Sequence, residues 1–165
     1  MIKIYQTIVD RGHGNCMQAA VASLLELPLE NVPNFIEFKH EWFEVFWKFL
    51  KERGYTYDGC IYNYNQYRII NKRLGRETAK NLKTSLYRVK KLEGVKGYFY
   101  ASVYSPKYYN PEDNPPTTHA VIIDKNYNIV HDVNPMYLEL KEYPEAKKLK
   151  YNGILDIYMI RPISQ

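Results

Sequence analysis

Two hydrophobic periods divide this chain. From Ala19 to Leu27 the apolar residues Ala19, Ala20, Val21, Leu24, Leu25 and Leu27 recur at helical spacing, the stripe of a 3.6-residue repeat. Asn15 precedes them as an N-cap residue, which makes Cys16 the first helical position. Pro28 and Pro33 end this helix and open an ordered loop around Phe35. A second amphipathic helix is predicted over 39–53, KHEWFEVFWKFLKER. Trp42, Phe43, Phe46, Trp47, Phe49 and Leu50 give it a wide apolar face, and Gly54 is its C-cap. Ahead of both, IKIYQTI at 2–8 reads as a short extended segment, and DRGHGN supplies turn chemistry.

From Gly97 the period shortens to two. YFYASVYS is rich in aromatic and β-branched residues and reads as a strand. The proline-rich PKYYNPEDNPPTT is a loop; HAVIID, the turn KNYN and IVHDV then form a hairpin, and YNGILDIYMIRP is a last strand ending at Pro162. Helices first and antiparallel strands later define an α+β fold. One domain over 1–165 is expected, with a helical part at 1–54, a basic variable insertion at 55–96 and an antiparallel sheet at 97–165. Within the insertion, residues 55–67 read as extended or looped, and a helix is predicted over 77–91.

Composition narrows the class. The chain has 165 residues with 45% hydrophobic side chains, enough for a real core. Its 17 tyrosines suit strands, core margins and binding surfaces alike. A net charge of +5 permits an acidic partner without requiring one. Two cysteines do not make a disulfide framework. No leader pattern opens the chain and no run of apolar residues is long enough to span a membrane. The expectation is a cytoplasmic protein without a membrane partner.

Chemistry concentrates around Cys16. A thiol attacks carbonyls only as thiolate, and the positive end of a helix dipole favours that form. The first helical turn also offers free backbone N–H groups that can hold an oxyanion. The competing reading is a buried structural cysteine. A nucleophile needs a base and the base an orienter. His119 opens the strand HAVII, and Asp132 lies in the strand after the KNYN turn. The hairpin therefore brings His119 and Asp132 side by side, whereas an ordinary surface hairpin would carry them without chemistry. His131 alternates to the other face.

The segments GNCMQAAVASLLELPLENVPNF at 14–35, SPKYYNPEDNPPTTHAVIID at 105–124 and IVHDVNP at 129–135 together resemble the papain-like cysteine peptidase superfamily. They are most similar to small papain-like proteins of bacteria and their phages. The order is Cys, His, Asp, with the cysteine opening the first long helix, and GILDIYMIRP fits the closing strand. The resemblance covers about half the chain and leaves out residues 55–96. It implies a papain-like fold and a catalytic Cys16–His119–Asp132 triad acting on a peptide, isopeptide, ester or thioester carbonyl. It further implies that Gln6, ten residues ahead of the cysteine, completes an oxyanion hole with the Cys16 N–H; an exposed polar residue is the alternative reading. HDVNP replaces the simpler HDP of those relatives, so Asn134 competes with Asp132 as orienter, and Asp132 is favoured because it lies closer to the turn. Gln18 sits too far into the helix for the oxyanion and is expected to cap or to face solvent.

Three rivals remain. A zinc site would draw on His13, Cys16, Cys60, His119 and His131, yet no CxxC or HxxxH pair exists; no metal or cofactor is expected. A nucleic-acid module would use Arg68–Lys96, where ten basic residues face Glu77 and Glu93, with Tyr62, Tyr64, Tyr67 and Tyr87 as stacking rings. The third is an inactive relative that binds a partner. Cys60 is read as a structural or surface thiol. The expected partner is a protein or peptide substrate, with an acidic one favoured by the basic stretch.

Overall fold

The structure is a computed structural model that describes residues 1–61, 94–110, 112, 117–137 and 154–163. Among these residues it is α+β, two α-helices and several 3-10 turns packed on a five-stranded antiparallel sheet.

Helix α1 spans Cys16–Leu25 and buries every position from Met17 to Leu24 except Gln18. Four of these, Ala19, Ala20, Ala22 and Ser23, are small, which lets flanking backbone approach closely. The helix ends at Glu26, held in the left-handed region at φ 55°. Its carboxylate meets the Lys96 ammonium at 2.6 Å and the Met1 amino group at 2.7 Å. The hydrogen bonds to Lys96 and then to that amino group hold the Glu26 carboxyl down at about 2.

Helix α2, Trp42–Glu52, starts later than the periodicity predicts. Residues Phe35–Glu41 form 3-10 turns broken at Lys39, whose φ of 50° and ψ of −111° cannot continue a helix. The apolar face is also narrower than expected. Phe46, Phe49 and Leu50 are buried, whereas Phe43 and Trp47 remain 43% and 45% exposed. Six apolar residues spread too far around one helix for all to meet the core. The inward ones pack edge-to-face on Phe35, at 5.2 Å for Phe46 and 5.7 Å for Phe49.

The strands are β1 (Tyr55–Ile61), β2 (Tyr98–Tyr104), β3 (Thr118–Asp124), β4 (Ile129–Asp132) and β5 (Ile154–Pro162), in the order β1-β5-β2-β3-β4. The sheet is thus not confined to 97–165. Tyr55–Ile61, assigned from sequence to the insertion, pairs with β5 along its whole length, because alternate rings such as Tyr57 dock on α2, 5.3 Å from Phe46. Residues 62–93, with the predicted helix at 77–91 and nearly all of the basic stretch, lie outside the described residues. Tyr100, Ala120, Ile122 and Ile160 join the helical core, while Phe99, Ala101, Val103, Val121, Ile123 and Ile157 bury the opposite face, the period-2 alternation of the pleat. In the β3–β4 turn, the Asp124 carboxylate accepts the Asn126 and Asn128 N–H groups at 2.8 and 2.9 Å.

The N-terminal segment is extended but joins no strand. It runs between α1 and β4, tied by Ile4 N–H to Ser23 Oγ (3.0 Å), Ile4 O to His131 Nε2 (2.9 Å) and Gln6 N–H to Val133 O (2.8 Å).

Candidate functional site

Cys16 opens α1, but Asn15 does not cap the helix with its side chain. Its Oδ1 instead accepts the N–H groups of Thr7 and Ile8 at 3.0 and 2.9 Å. The buried amide thereby pins the preceding segment beside the helix and leaves the first-turn N–H groups to their surroundings. The turn needs its glycines. Gly12 has φ 78°, and a Cβ on Gly14 would lie 3.1 Å from Asp10 O and 3.3 Å from Ile8 O.

His119 and Asp132 meet as the hairpin pattern predicts, though diagonally. Asp132 registers opposite Val121, two residues along from His119, so both side chains share a face. His119 Nε2 and Asp132 Oδ1 are 2.7 Å apart and both residues are 5% exposed. The same Oδ1 accepts the Asn134 N–H at 2.8 Å. Asn134 therefore fixes the carboxylate through its backbone, and its own Oδ1 is used by Met136 N–H at 3.0 Å. It does not stand as a rival orienter. With Nε2 given to Asp132, the other ring nitrogen is left to the side of Cys16, which lines the same cavity and feels the imidazole's charge.

The charges of this row support one another. Burial alone would raise the Cys16 thiol. The hydrogen bond and charge of His119, helped by the Ala120 and Met17 N–H groups, outweigh it and bring the thiol below its ordinary value. Burial alone would lower His119. Hydrogen bonds and charges from Asp132 and Cys16 overcome it and lift the imidazole to about 9. His119 is therefore an imidazolium near neutral pH, and its charge biases Cys16 toward the thiolate. Tyr100, close enough to feel the charges of Cys16 and Asp156, is pushed up mainly by burial and stays a neutral phenol. Burial also raises the Asp156 carboxyl to about 6 despite its bonds to Ser102.

A cavity of about 210 Å³ opens on the thiol, lined by Gln6, Asp10, Cys16, Ile36, His119 and Tyr137 among others. Gln6 is buried, donating Nε2–H to Ile8 O at 3.2 Å, and its amide has a second N–H. It is not an exposed polar residue. Gln18 neither caps nor faces solvent freely: its Nε2 bonds Leu29 O and Val32 O at 3.0 and 2.6 Å and braces the loop after α1.

Sequence reading missed Tyr137 and Tyr108. Tyr137 sets its ring edge-to-face on His119, centroids 5.2 Å apart, and is hydrogen-bonded to Ser105 and the Lys107 N–H. Tyr108 donates its hydroxyl to Val9 O at 3.1 Å and ties the two walls of the cavity. Nothing in their spacing separates them from the other tyrosines.

The remaining candidates do not converge. His131 faces away from Asp132, its ring edge-to-face with Tyr5 at 5.0 Å. Cys60 lies on β1, three strands from β3. Among the described residues no group of three His, Cys, Asp or Glu is placed to hold a metal ion, and no helix is long and apolar enough to cross a membrane. Comparison with protein-family models, curated proteins and solved structures finds no match for this chain.

Proposed function

We propose that this chain is a papain-like thiol hydrolase that cleaves a peptide or isopeptide bond through an acyl-enzyme. The observation that carries the reading is the Cys16 thiol at a helix N-terminus, sharing one cavity with a His119 that Asp132 holds from behind at 2.7 Å. In the proposed reaction the thiolate adds to the carbonyl carbon, and the pair of electrons moves onto oxygen. The Cys16 N–H and the Gln6 amide stabilise that oxyanion. His119 gives its proton to the leaving nitrogen as the C–N bond breaks. It then takes a proton from water, whose oxygen displaces the thiolate and frees the acid. Asp132 keeps the ring in its working tautomer throughout. An amine in place of water would make the same machinery a transferase.

The test is brief iodoacetamide treatment from acid to mildly alkaline pH, read by mass spectrometry at Cys16 and Cys60 in the wild type and in His119→Ala. Selective alkylation of Cys16 below the ordinary thiol range, slowed in the variant, is expected. A Cys16 no faster than Cys60, with or without His119, would remove the catalytic reading.

A further inference from the structure

The thiol cavity is bridged at one end. Its walls come from distant parts of the chain, one carrying Val9 and Gly14 and the other Ser105 and Thr118. The Tyr108 hydroxyl joins them by its bond to Val9 O at 3.1 Å. Local chain geometry holds Tyr108 in place. Ser105 Oγ accepts the Tyr108 N–H at 3.2 Å, and the Ser105 N–H is bonded to Thr117 O at 3.0 Å. The bridge is thus anchored to the start of β3. Asp10 lines the cavity next in sequence to the bridged Val9. Its backbone oxygen accepts the Gly14 N–H at 3.0 Å, and Cys16 follows at most about 7 Å further along the chain. Among the described lining residues, Asp10 is the one ionisable acid besides the thiol and the two tyrosines. Among the described residues its carboxylate joins no ion pair. The Lys107 ammonium, exposed over the Tyr108 ring at 5.0 Å, feels Tyr108 first and Asp10 last. The cavity, about 210 Å³, is smaller than the roughly 300–1,000 Å³ of a pocket for a drug-sized ligand, so it holds one or two residues of a chain.

Resting on the thiol-hydrolase reading above, we propose that this cavity takes the free amino terminus of a peptide, its ammonium against Asp10 and its chain leaving past Cys16 and His119. Asp10 is then a specificity-determining residue. Two features select this end of a chain. The Val9–Tyr108 bridge bars a peptide that continues beyond its amino end. The carboxylate at that end attracts a cation, while the charges of the thiolate and the imidazolium offset each other. The bond cleaved is the first or second of the peptide. The thiolate adds to its carbonyl, the leaving nitrogen takes the His119 proton as the C–N bond breaks, and water frees the amino-terminal residue or dipeptide.

The test labels the full chain with two chloromethyl ketones of alanine, one with a free amino group and one acetylated, at mildly acid pH where the amine carries its proton. The Cys16 sulfur displaces chloride, and mass spectrometry follows the rate. A neutral cysteine derivative in solution supplies the intrinsic ratio of the two reagents. At Cys16 the free-amine ketone is expected to be favoured about fivefold beyond that ratio, because Asp10 is exposed and its ion pair is worth about 1 kcal/mol at most. Salt should erode the preference, and Asp10→Asn should abolish it. Asparagine keeps the backbone bond of the turn, and an unchanged iodoacetamide rate at Cys16 checks this. Tyr108→Phe, which removes the bridge, should speed the acetylated ketone several-fold. A Cys16 that reacts with iodoacetamide but shows no such preference, or a preference that survives Asp10→Asn, would overturn the proposal and leave the hydrolase reading standing. A Cys16 inert to iodoacetamide would overturn both.

Discussion

At the β4 edge of the sheet the buried groups are polar and interlocked: Cys16, His119, Asp132 and the Asn134 N–H form one row. At the β1 edge the groups are rings, with Phe43, Phe46, Tyr57 and Tyr158 meeting at centroid distances between 5.3 and 6.4 Å. Rings tolerate loss of one neighbour, because dispersion and apolar burial have no direction. A buried polar row does not, since removing one member leaves the next unpaired in a low dielectric. The β3–β4 hairpin shows the same contrast within itself. Burial pushes both its histidines toward the neutral form. His131 bonds a backbone carbonyl at Ile4, is opposed by the charge of Lys3 and stays below its usual value, whereas His119 bonds a carboxylate, feels the Cys16 charge as well and rises to about 9. The partner's charge decides, not the depth.

Removing the base should break the polar edge most severely. In the proposed reaction His119→Ala is expected to lower turnover of an activated ester by roughly 10²–10⁴-fold. The wild-type pH profile should be a bell. Its acid limb follows the lowered Cys16 thiol, and its alkaline limb lies at about 9, where His119 loses its proton. The stability contributed by His119 has the matching sign. Its pKa is raised above 6.5, so the contribution is full below 6.5 and disappears as pH rises through about 9. The lowered Cys16 thiol contributes the opposite slope over the same interval, so the check is thermal melts of Cys16→Ser, in which Asp132 still raises His119; a melting temperature that climbs there would contradict the His119–Asp132 pair.

Asp132→Ala should be the largest stability effect, about 3–5 kcal/mol, because it strands a buried imidazolium and the Asn134 N–H. Phe43→Ala at the ring edge, where the side chain is 43% exposed, should stay below about 2 kcal/mol. Urea titration of the two variants measures the contrast directly. Equal losses would mean that the polar row is no more cooperative than the aromatic one.

Gln6→Ala sharpens the picture inside the row. The side chain is buried beside Cys16 but absent from the hydrogen bonds that charge the thiol. Turnover should fall by roughly 10²-fold, as for loss of one oxyanion donor, while the Cys16 alkylation profile stays where it was. A shifted profile would make Gln6 a support for the thiolate instead.

How far the sequence discloses this arrangement follows from the range of each interaction. Cys16 at a helix start and the His119–Asp132 hairpin are local patterns, set by one apolar stripe and one turn, and they are legible. Asn15 was readable as a boundary but not in its role, because its partners at Thr7 and Ile8 depend on how the chain doubles back. Tyr55–Ile61 is legible as extended chain but not as part of the sheet, because its partner is about a hundred residues away in β5, where no local period can reveal it. Tyr137 on His119 is a tertiary contact made by one tyrosine among 17.

The smallest expected effect lies on the aromatic side. Lys39 is exposed and carries φ 50° and ψ −111° between two 3-10 turns, a conformation that suits glycine far better than a residue with a Cβ. Strain of this kind costs about 1–3 kcal/mol, and the extra freedom of glycine in the unfolded chain returns about 0.4–1 kcal/mol of it. Lys39→Gly should therefore stabilise the protein by about 1 kcal/mol, raising Tm by roughly 2–4 °C, and leave Cys16 alkylation untouched. Calorimetry of the single variant suffices. A lower Tm would mean that the Lys39 side chain makes contacts worth more than the strain, and that the aromatic edge, like the polar one, is held by specific partners.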